Sequence, residues 1–363
     1  MADYPTDIVN TELPSLTSYQ DPDEEEVDEG PSLYEHYRVE ANKSQKLLRV
    51  DKFLIGHLSG ISRNRIQKAA DAGFIMCDET PIKRSYKVKP GDVIRVMLDR
   101  PFHELKITAE DIPLDIVYED ADLIVVNKQA GLVVHPGHGN WRGTLLNALA
   151  WHMRDDKRFD INNPEIGLVH RIDKDTSGLL VVAKTPSAKT HLGLQFFNKT
   201  TRREYNALVW GSFKETAGTI TGNIARNPHD RMQMAVFPPK SEIGKHAVTH
   251  YNVLESFPYV TLVRCVLETG RTHQIRAHMK HIGHPLFNDA RYGGDQILRG
   301  VQFPKYKQFI MNCFEICPRQ VLHAKTLGFT HPRTGEQMDF TSDLPEDIRT
   351  LLDRWRRIGS FEV

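Results

Sequence analysis

The spacing of apolar residues divides the chain into segments with different periods. In RVDKFLIGHL, Val50, Phe53, Leu54 and Leu58 fall on one helical face. SRNRIQKAADAG predicts a second short helix, with Ser62 placed to cap it and Gly73 to end it. FIMC, a turn through DETP, and KVKPGDVIRVML then read as short strands with PGD as a tight turn. These pieces predict one compact unit over 46–100, followed by a linker over 101–113. From Leu114 onward short apolar runs dominate: DIVYED, DLIVVNK, GLVVHP, GLVHRI, GLLVVAK, EYNALVWG, HYNVLES and VTLVRCVLETG. Few helices interrupt them. GTLLNALAWHM is one, and SAKTHLGLQFFNK is another, with Thr185 and Pro186 at its N-cap and first turn. DLPEDIRTLLDRWRRIG predicts a last amphipathic helix capped near Asp343 or Pro345. Strands outnumber helices without a regular βαβ rhythm, so residues 114–363 predict an α+β domain with a mostly antiparallel mixed sheet.

Charge changes this picture at one end. The formal net charge of the 363 residues is zero, but residues 1–40 hold twelve acidic residues and one basic one, Arg38. The other residues therefore carry a surplus of eleven positive charges. A like-charged, Pro-containing segment buries too little apolar surface to fold, so a disordered acidic tail is expected over 1–45. The rest is basic, as expected of a protein that meets phosphates. Arg63, Arg65 and Lys68 in or beside the second helix, with Lys83, Arg84 and Lys87 in the following loop, form two basic clusters. They read as a phosphate-facing surface or as an ordinary solvated one. No apolar run is long enough to cross a bilayer, and the start has no basic segment followed by an apolar one. Cys77, Cys265, Cys313 and Cys317 form neither a disulfide framework nor a CxxC pair. A cytoplasmic protein with reduced thiols, acting as a monomer without a membrane partner, is the expectation.

Two segments carry the candidate chemistry. GLVHRIDKDTSGLLVVAK sets the polar turn DKDTSG between two apolar runs, placing Asp173 at a strand end beside His170 and Arg171. Such a carboxylate has reason to stay ionised, yet on this segment alone a plain hairpin aspartate is the better account of it. The second segment, LETGRTHQIRAHMKHIGHPLFNDARYGG, has Gly270 for a turn and then a helix with Arg271, Thr272, Gln274, Arg276, His278 and Lys280. That density of donors favours an anion against it. His273, His278, His281 and His284 are crowded here, but none forms HExxH and no carboxylate follows at ligand spacing, so no metal site is expected.

Taken together these segments resemble the RluA-type pseudouridine synthases over nearly all of residues 47–340. HRIDKDTSGLLVVAK is similar to the family's active-site motif, with Ile172 in place of the usual leucine. RREYNALVWG resembles its tyrosine motif, and RTHQIRAHM its arginine motif. DIVYEDADLIVVNK, GLVVHPGHGN, NPHDRMQMAV, GKHAVTHY and QVLHAKTLGFTHP agree as well. RVDKFL, SRNRIQ and GDVI resemble an S4-type RNA-binding domain, although Asp78-Glu79-Thr80-Pro81 stands where that family has an Asn-Gly-like turn. Within the family the branch acting on large-subunit 23S rRNA, type D, is the most similar, with type C of the same architecture.

The resemblance implies a uridine isomerisation that needs no cofactor. It makes Asp173 the nucleophile, Arg276 its partner, and Tyr205 the residue that stacks on uracil and relays the C5 proton. It also implies that Arg171 fills the space of a flipped base. His170 is expected to support its strand or contact RNA beside Arg271, with Lys128 and His135 bordering the cleft and Leu322, next to His323, in the base pocket. RNA is the implied partner, 23S rRNA within an assembling large subunit being one form of it. Two other readings stay open: a non-catalytic RNA-binding assembly factor, and a metal-dependent hydrolase built on the histidines.

Overall fold

In this computed structural model the described residues are 34–58, 63–98, 107–137, 140–156, 159–161, 167–301 and 303–358. They fall into two units that divide between Lys106 and Ile107.

The first unit runs β1 (Tyr34–Glu40), β2 (Leu48–Arg49), α1 (Val50–Ile55), α2 (Arg63–Asp71), β3 (Ile75–Cys77), β4 (Thr80–Pro81), β5 (Lys87–Val88) and β6 (Val93–Leu98). Val50, Phe53, Leu54 and Leu58 all enter its core with Ile66, Ala70, Ile75 and Ile94, as their helical and strand spacing predicts. Met76 pairs with Pro81 and Cys77 with Thr80, so Asp78-Glu79 is a two-residue turn. Asp78 takes φ 54°, a left-handed conformation that aspartate tolerates better than most residues, and so serves here where the S4-type pattern has an Asn-Gly-like turn. The expected tail boundary needs correction. Tyr34–Glu40 pairs antiparallel with β6, because alternate Tyr37 and Val39 pack on the core. The earlier part of the acidic segment lies outside the described residues.

The second unit contains β7 (Ile116–Glu119), β8 (Leu123–Lys128), α3 (Leu145–His152), β9 (Gly167–Leu168), β10 (Ser177–Ala183), α4 (Pro186–Asn198), β11 (Arg202–Trp210), β12 (Ala217–Arg226), β13 (Met234–Phe237), β14 (Lys245–Ser256), β15 (Val260–Leu267), α5 (Gln274–His281), α6 (Pro304–Ile316), β16 (Leu322–Thr330), β17 (Gln337–Thr341) and α7 (Glu346–Arg357). One sheet follows the order β13-β12-β14-β15-β11-β16-β10-β8-β7, with β17 added on β16 and β9 on β10. Every pairing is antiparallel except β10 with β16, which is the mixed, mostly antiparallel sheet that the strand rhythm predicts. Thr185 accepts from the Ala188 N–H and caps α4 as expected, the expected Ser62 cap lies outside the described residues, and Thr144 and Asn147 make a capping box on α3. α6 is not among the elements the sequence reading identified, although Tyr306, Ile310, Cys313 and Cys317 have helical spacing and are buried.

Both faces of the sheet are covered. Ile124, Val126, Leu180, Val182, Ala207 and Val263 pack on one side, and Leu123, Val125, Leu179 and Val181 on the other beneath Ala188 and Leu192 of α4. At the parallel crossing β10 and β16 approach so closely that a Cβ on Gly178 would lie 2.3 Å from the Ala324 carbonyl oxygen. Gly178 also has φ 114°, so only glycine fits this position. Ala324 is in register with Gly178 on one side and Tyr205 on the other. It thereby fixes how far Tyr205 stands from the turn that precedes β10.

Candidate active site

Asp173 does not end a strand, contrary to the expectation for GLVHRI. β9 stops at Leu168, because the His170 ring takes over the next ladder position: its Nε2 accepts the Val181 N–H at 3.0 Å. The chain therefore peels away from β10 and reaches Asp173 as irregular backbone. The Thr176 N–H returns to the Asp173 carbonyl at 3.1 Å and closes the turn into β10. His170 stacks on Phe196 at 4.3 Å, and burial with nearby Arg203 pushes its pKa down to about 3. It is a neutral structural acceptor, and the RNA-contact role set beside it is corrected accordingly.

Two buried cations hold this turn from behind. Lys128, 1% exposed, gives its three donors to the carbonyls of Gln129, Leu132 and Lys174 at 2.9, 2.8 and 2.7 Å. Arg319 donates to the Asp175 carbonyl at 2.8 Å and to Ser177 Oγ, while both Asp347 oxygens hold its other edge. Lys128 therefore stabilises the turn from within instead of bordering a cleft. Its pKa is lowered to about 7 by burial, partly offset by Asp175 and Asp173. Substituting Lys128→Met removes a donor from three carbonyls and strands the buried one of Leu132, while that of Lys174 keeps the Gly131 N–H, so a loss of about 1–3 kcal/mol of stability is expected, the scale of one unsatisfied group. Urea titration of the variant checks this; a stability equal to the parent protein would reject the clamp.

The Asp173 side chain faces α5, and 18% of it stays exposed, enough for a ligand to touch. Arg276 Nη1 donates to Asp173 Oδ2 at 3.0 Å. The other edge of the same guanidinium is held by Asp289, Nε to Oδ2 at 2.8 Å and Nη2 to Oδ1 at 2.9 Å. Asp289 is fully buried and also caps the short turn Ala290–Tyr292. Arg276 is thus fixed as a fork between two carboxylates, with its Cζ 5.0 Å over the Tyr292 ring. His273, at the left-handed start of α5, comes within 3.9 Å of Asp173 Oδ2 and bonds Tyr292 at 3.0 Å through Nδ1. Burial would push the Asp173 carboxyl up; His273 and Arg276, with Arg171 beyond them, outweigh it and hold the pKa at about 2.

Tyr205 is 8% exposed on β11 and shares an apolar cluster with Ile172 and Leu322. Burial raises its pKa, Arg203 opposes that rise, and Asp173 adds to it. The structure therefore brings together Asp173, Arg276, Tyr205 and Leu322, with half-buried Arg171 acting on Asp173. Two further candidates of this unit bond backbone carbonyls. Arg271 donates to the His246 carbonyl at 3.1 Å, and exposed His135 bonds the carbonyl of Pro136 at 2.7 Å. In the first unit Arg63 and Arg49 close on the buried Asp51, each at 3.0 Å, so Arg63 ties α2 to α1. Lys68 is exposed on α2, and the Arg65 side chain lies outside the described residues.

The histidines of the second segment diverge. His273 turns to Tyr292, His278 to Thr249 and His284 to the Trp210 carbonyl. Among the described residues the group whose ligand atoms converge is Asp120, Asp122 and His331. Its atoms already have partners, His331 with Asp120 at 2.7 Å and Arg333 with Asp122 at 2.7 Å. Asp289 and Tyr292 escaped the sequence reading although FNDARYGG lies inside the segment. An aspartate before a Gly-rich turn reads as a cap, and its second bond, to Arg276, leaves no mark in the spacing.

An ionised carboxylate fixed by an arginine, open on one side and flanked by a buried tyrosine, suits a nucleophile. Residues 122–281 match the RNA pseudouridylate synthase family. An uncharacterized RNA pseudouridine synthase of Bacillus subtilis is 44% identical over 322 residues, 88% of this chain and 98% of that protein. Ribosomal large subunit pseudouridine synthase D of Nitrosomonas europaea is 43% identical over 316 residues, 87% of each chain. The solved structure of human RNA pseudouridylate synthase domain containing 4 has a TM-score of 0.50 and 24% identity, covering 66% of this chain and 92% of that one, a likeness of fold. With identity of this extent, the chain belongs to the RNA pseudouridylate synthases, enzymes that isomerise uridine to pseudouridine in RNA.

Proposed function

We propose that this enzyme acts on uridines of the large-subunit 23S rRNA, with Asp173 as nucleophile. The observation that carries the mechanism is the Asp173–Arg276–Asp289 chain of bonds, which keeps an accessible carboxylate charged. The target class is supported by relatives named for the large ribosomal subunit in several organisms.

A stacked uridine has to leave its helix, which costs a few kcal/mol. Arg171, beside the nucleophile, takes the vacated space and contacts the backbone. Asp173 then frees the uracil from its N-glycosidic bond while the nucleotide stays held. The ring turns, C5 bonds to the ribose carbon, and Tyr205 accepts the C5 proton; composition is unchanged, and no cofactor is required. Leu322 forms part of the wall under the ring. Residues 46–100 serve as an S4-type domain that adds phosphate contacts, with Lys68 among them, while the acid-paired Arg63 organises that surface.

Pseudouridine mapping across all RNA of a deletion strain tests this reading. Loss of a small set of 23S rRNA sites, restored by the intact gene, is the expected result. Losses confined to transfer RNA would reject the target class. Losses in 23S rRNA at the uridines of the type C relatives would move the enzyme to that branch.

A further inference from the structure

A buried arginine ordinarily has its charge and its donors answered by neighbours. Arg203 on β11 is 7% exposed, yet its guanidinium has no hydrogen bond or ion pair with any described residue. Its Nε is sealed from solvent without a partner. The group lies over the Phe196 ring, with Cζ 5.5 Å from the centroid, and against Gly270 at the entry to the arginine motif. A Cβ on Gly270 would meet Arg203 Nη1 at 2.7 Å, so the glycine leaves room for it. Among the described residues no carboxylate pairs with it. The family resemblance leaves Arg203 without a role, and so does the reaction as described above.

Arg203 and Tyr205 stand two residues apart on one strand and so point to the same face. We infer that Arg203 is the positioning residue for Tyr205, the counter-charge that stabilises its phenolate and so lets it take the C5 proton. The inference rests on the reading of Tyr205 as proton acceptor. The tyrosine loses its proton to solvent beforehand. In the step itself the phenolate oxygen takes hydrogen from C5, and the electron pair of the broken C–H bond restores the C5–C6 double bond. The C6–N1 double bond formed when C5 joined the ribose opens onto N1, the negative charge passes from the oxygen to that nitrogen, and N1 takes a proton from solvent to give neutral pseudouridine.

The other groups around Tyr205 cannot supply this counter-charge. Asp173 has the wrong sign, and its partner Arg276 is committed to it and to Asp289. Cys265, opposite Tyr205 on β15, is a thiol that burial pushes up to about 12, and Ala324 on β16 carries no charge. His170, which like Arg203 lies against Phe196, is held neutral. Arg203 and Asp173 are the two charges that act on the tyrosine among the described residues, and Tyr205 is the group that acts in turn on Arg203.

The test places 3-fluorotyrosine at position 205 of the full chain and follows its ionisation by fluorine NMR across pH. Arg203→Gln is expected to weaken the acidity of this phenol about tenfold or more, as loss of an opposite charge at close range does, and Arg203→Lys to restore most of it. A Gln midpoint equal to the parent's would overturn the inference. Gly270→Ala, which crowds Nη1, gives a second perturbation in the same direction should Arg203→Gln not fold; an unmoved midpoint there overturns it equally. Single-turnover rates of Tyr205→Phe separate the two levels. A full rate in that variant rejects the proton-acceptor reading whatever the midpoints do, whereas a lost rate with an unmoved midpoint rejects the role of Arg203 alone.

Discussion

Replacing Asp173 with asparagine is expected to remove pseudouridine formation, lowering the single-turnover rate on the order of 10⁴-fold or more, the scale on which nucleophile deletions act. The change keeps the shape of the side chain and removes its charge, so it isolates chemistry from packing. An amide oxygen still accepts from Arg276 Nη1, and Arg276 keeps its two bonds to Asp289, so the fold should survive. RNA binding should survive too, because the cationic residues facing the ligand are untouched. Carbodiimide–primer-extension mapping of rRNA treated with the purified variant provides the readout. Undiminished modification would reject Asp173 as nucleophile, and loss of RNA binding in parallel would show that the substitution damaged more than the reacting atom. The same variant decides against the non-catalytic assembly-factor reading if the parent protein modifies the rRNA and the variant does not.

The route from sequence to this residue was uneven, for physical reasons. Periodicity suffices for the sheet and most helices, because long alternating runs such as LIVVNK and SGLLVVA leave little choice of period. It fails in Val169–Ile172, where apolar composition promises strand and the His170 side chain instead takes a backbone donor. Charge was misleading in a similar way. Lys128 was expected to border the cleft and Arg63 to face phosphate or solvent, because lysine and arginine are usually exposed; here one is capped by carbonyls and the other neutralises a buried Asp51. Asp173, Tyr205 and Arg276 could be singled out only through three separated motifs taken together. Asp289 had no motif at all, since what matters about it is a bond made across thirteen residues to an arginine already satisfied on its other side.

That bond sets up the second large effect. Arg276→Met should cost about 3–5 kcal/mol of stability, the usual loss when one member of a buried charge network is removed. Asp289, with no exposed surface, is then an uncompensated carboxylate, and Asp173 loses its closest cation. Opposing contributions set the Asp173 pKa, with burial raising it and His273 and Arg276 lowering it to about 2, so without Arg276 it must rise. A depressed carboxyl pKa contributes stability above its unfolded value, near 3.9, and that stability is lost as pH falls toward the folded value. In the parent protein the window lies below the range in which activity is measured. In the variant the acid limb moves up into that range, so its rate should fall more at pH 5 than at pH 8. Adding Asp289→Asn separates the two roles of the arginine, because it removes the orphaned buried charge without giving Asp173 a partner. The double variant should regain part of the lost stability in a urea titration while its single-turnover rate stays low. Recovery of the rate along with the stability would mean that Arg276 acts only by holding the fold, and its pairing with Asp173 would have no part in the chemistry.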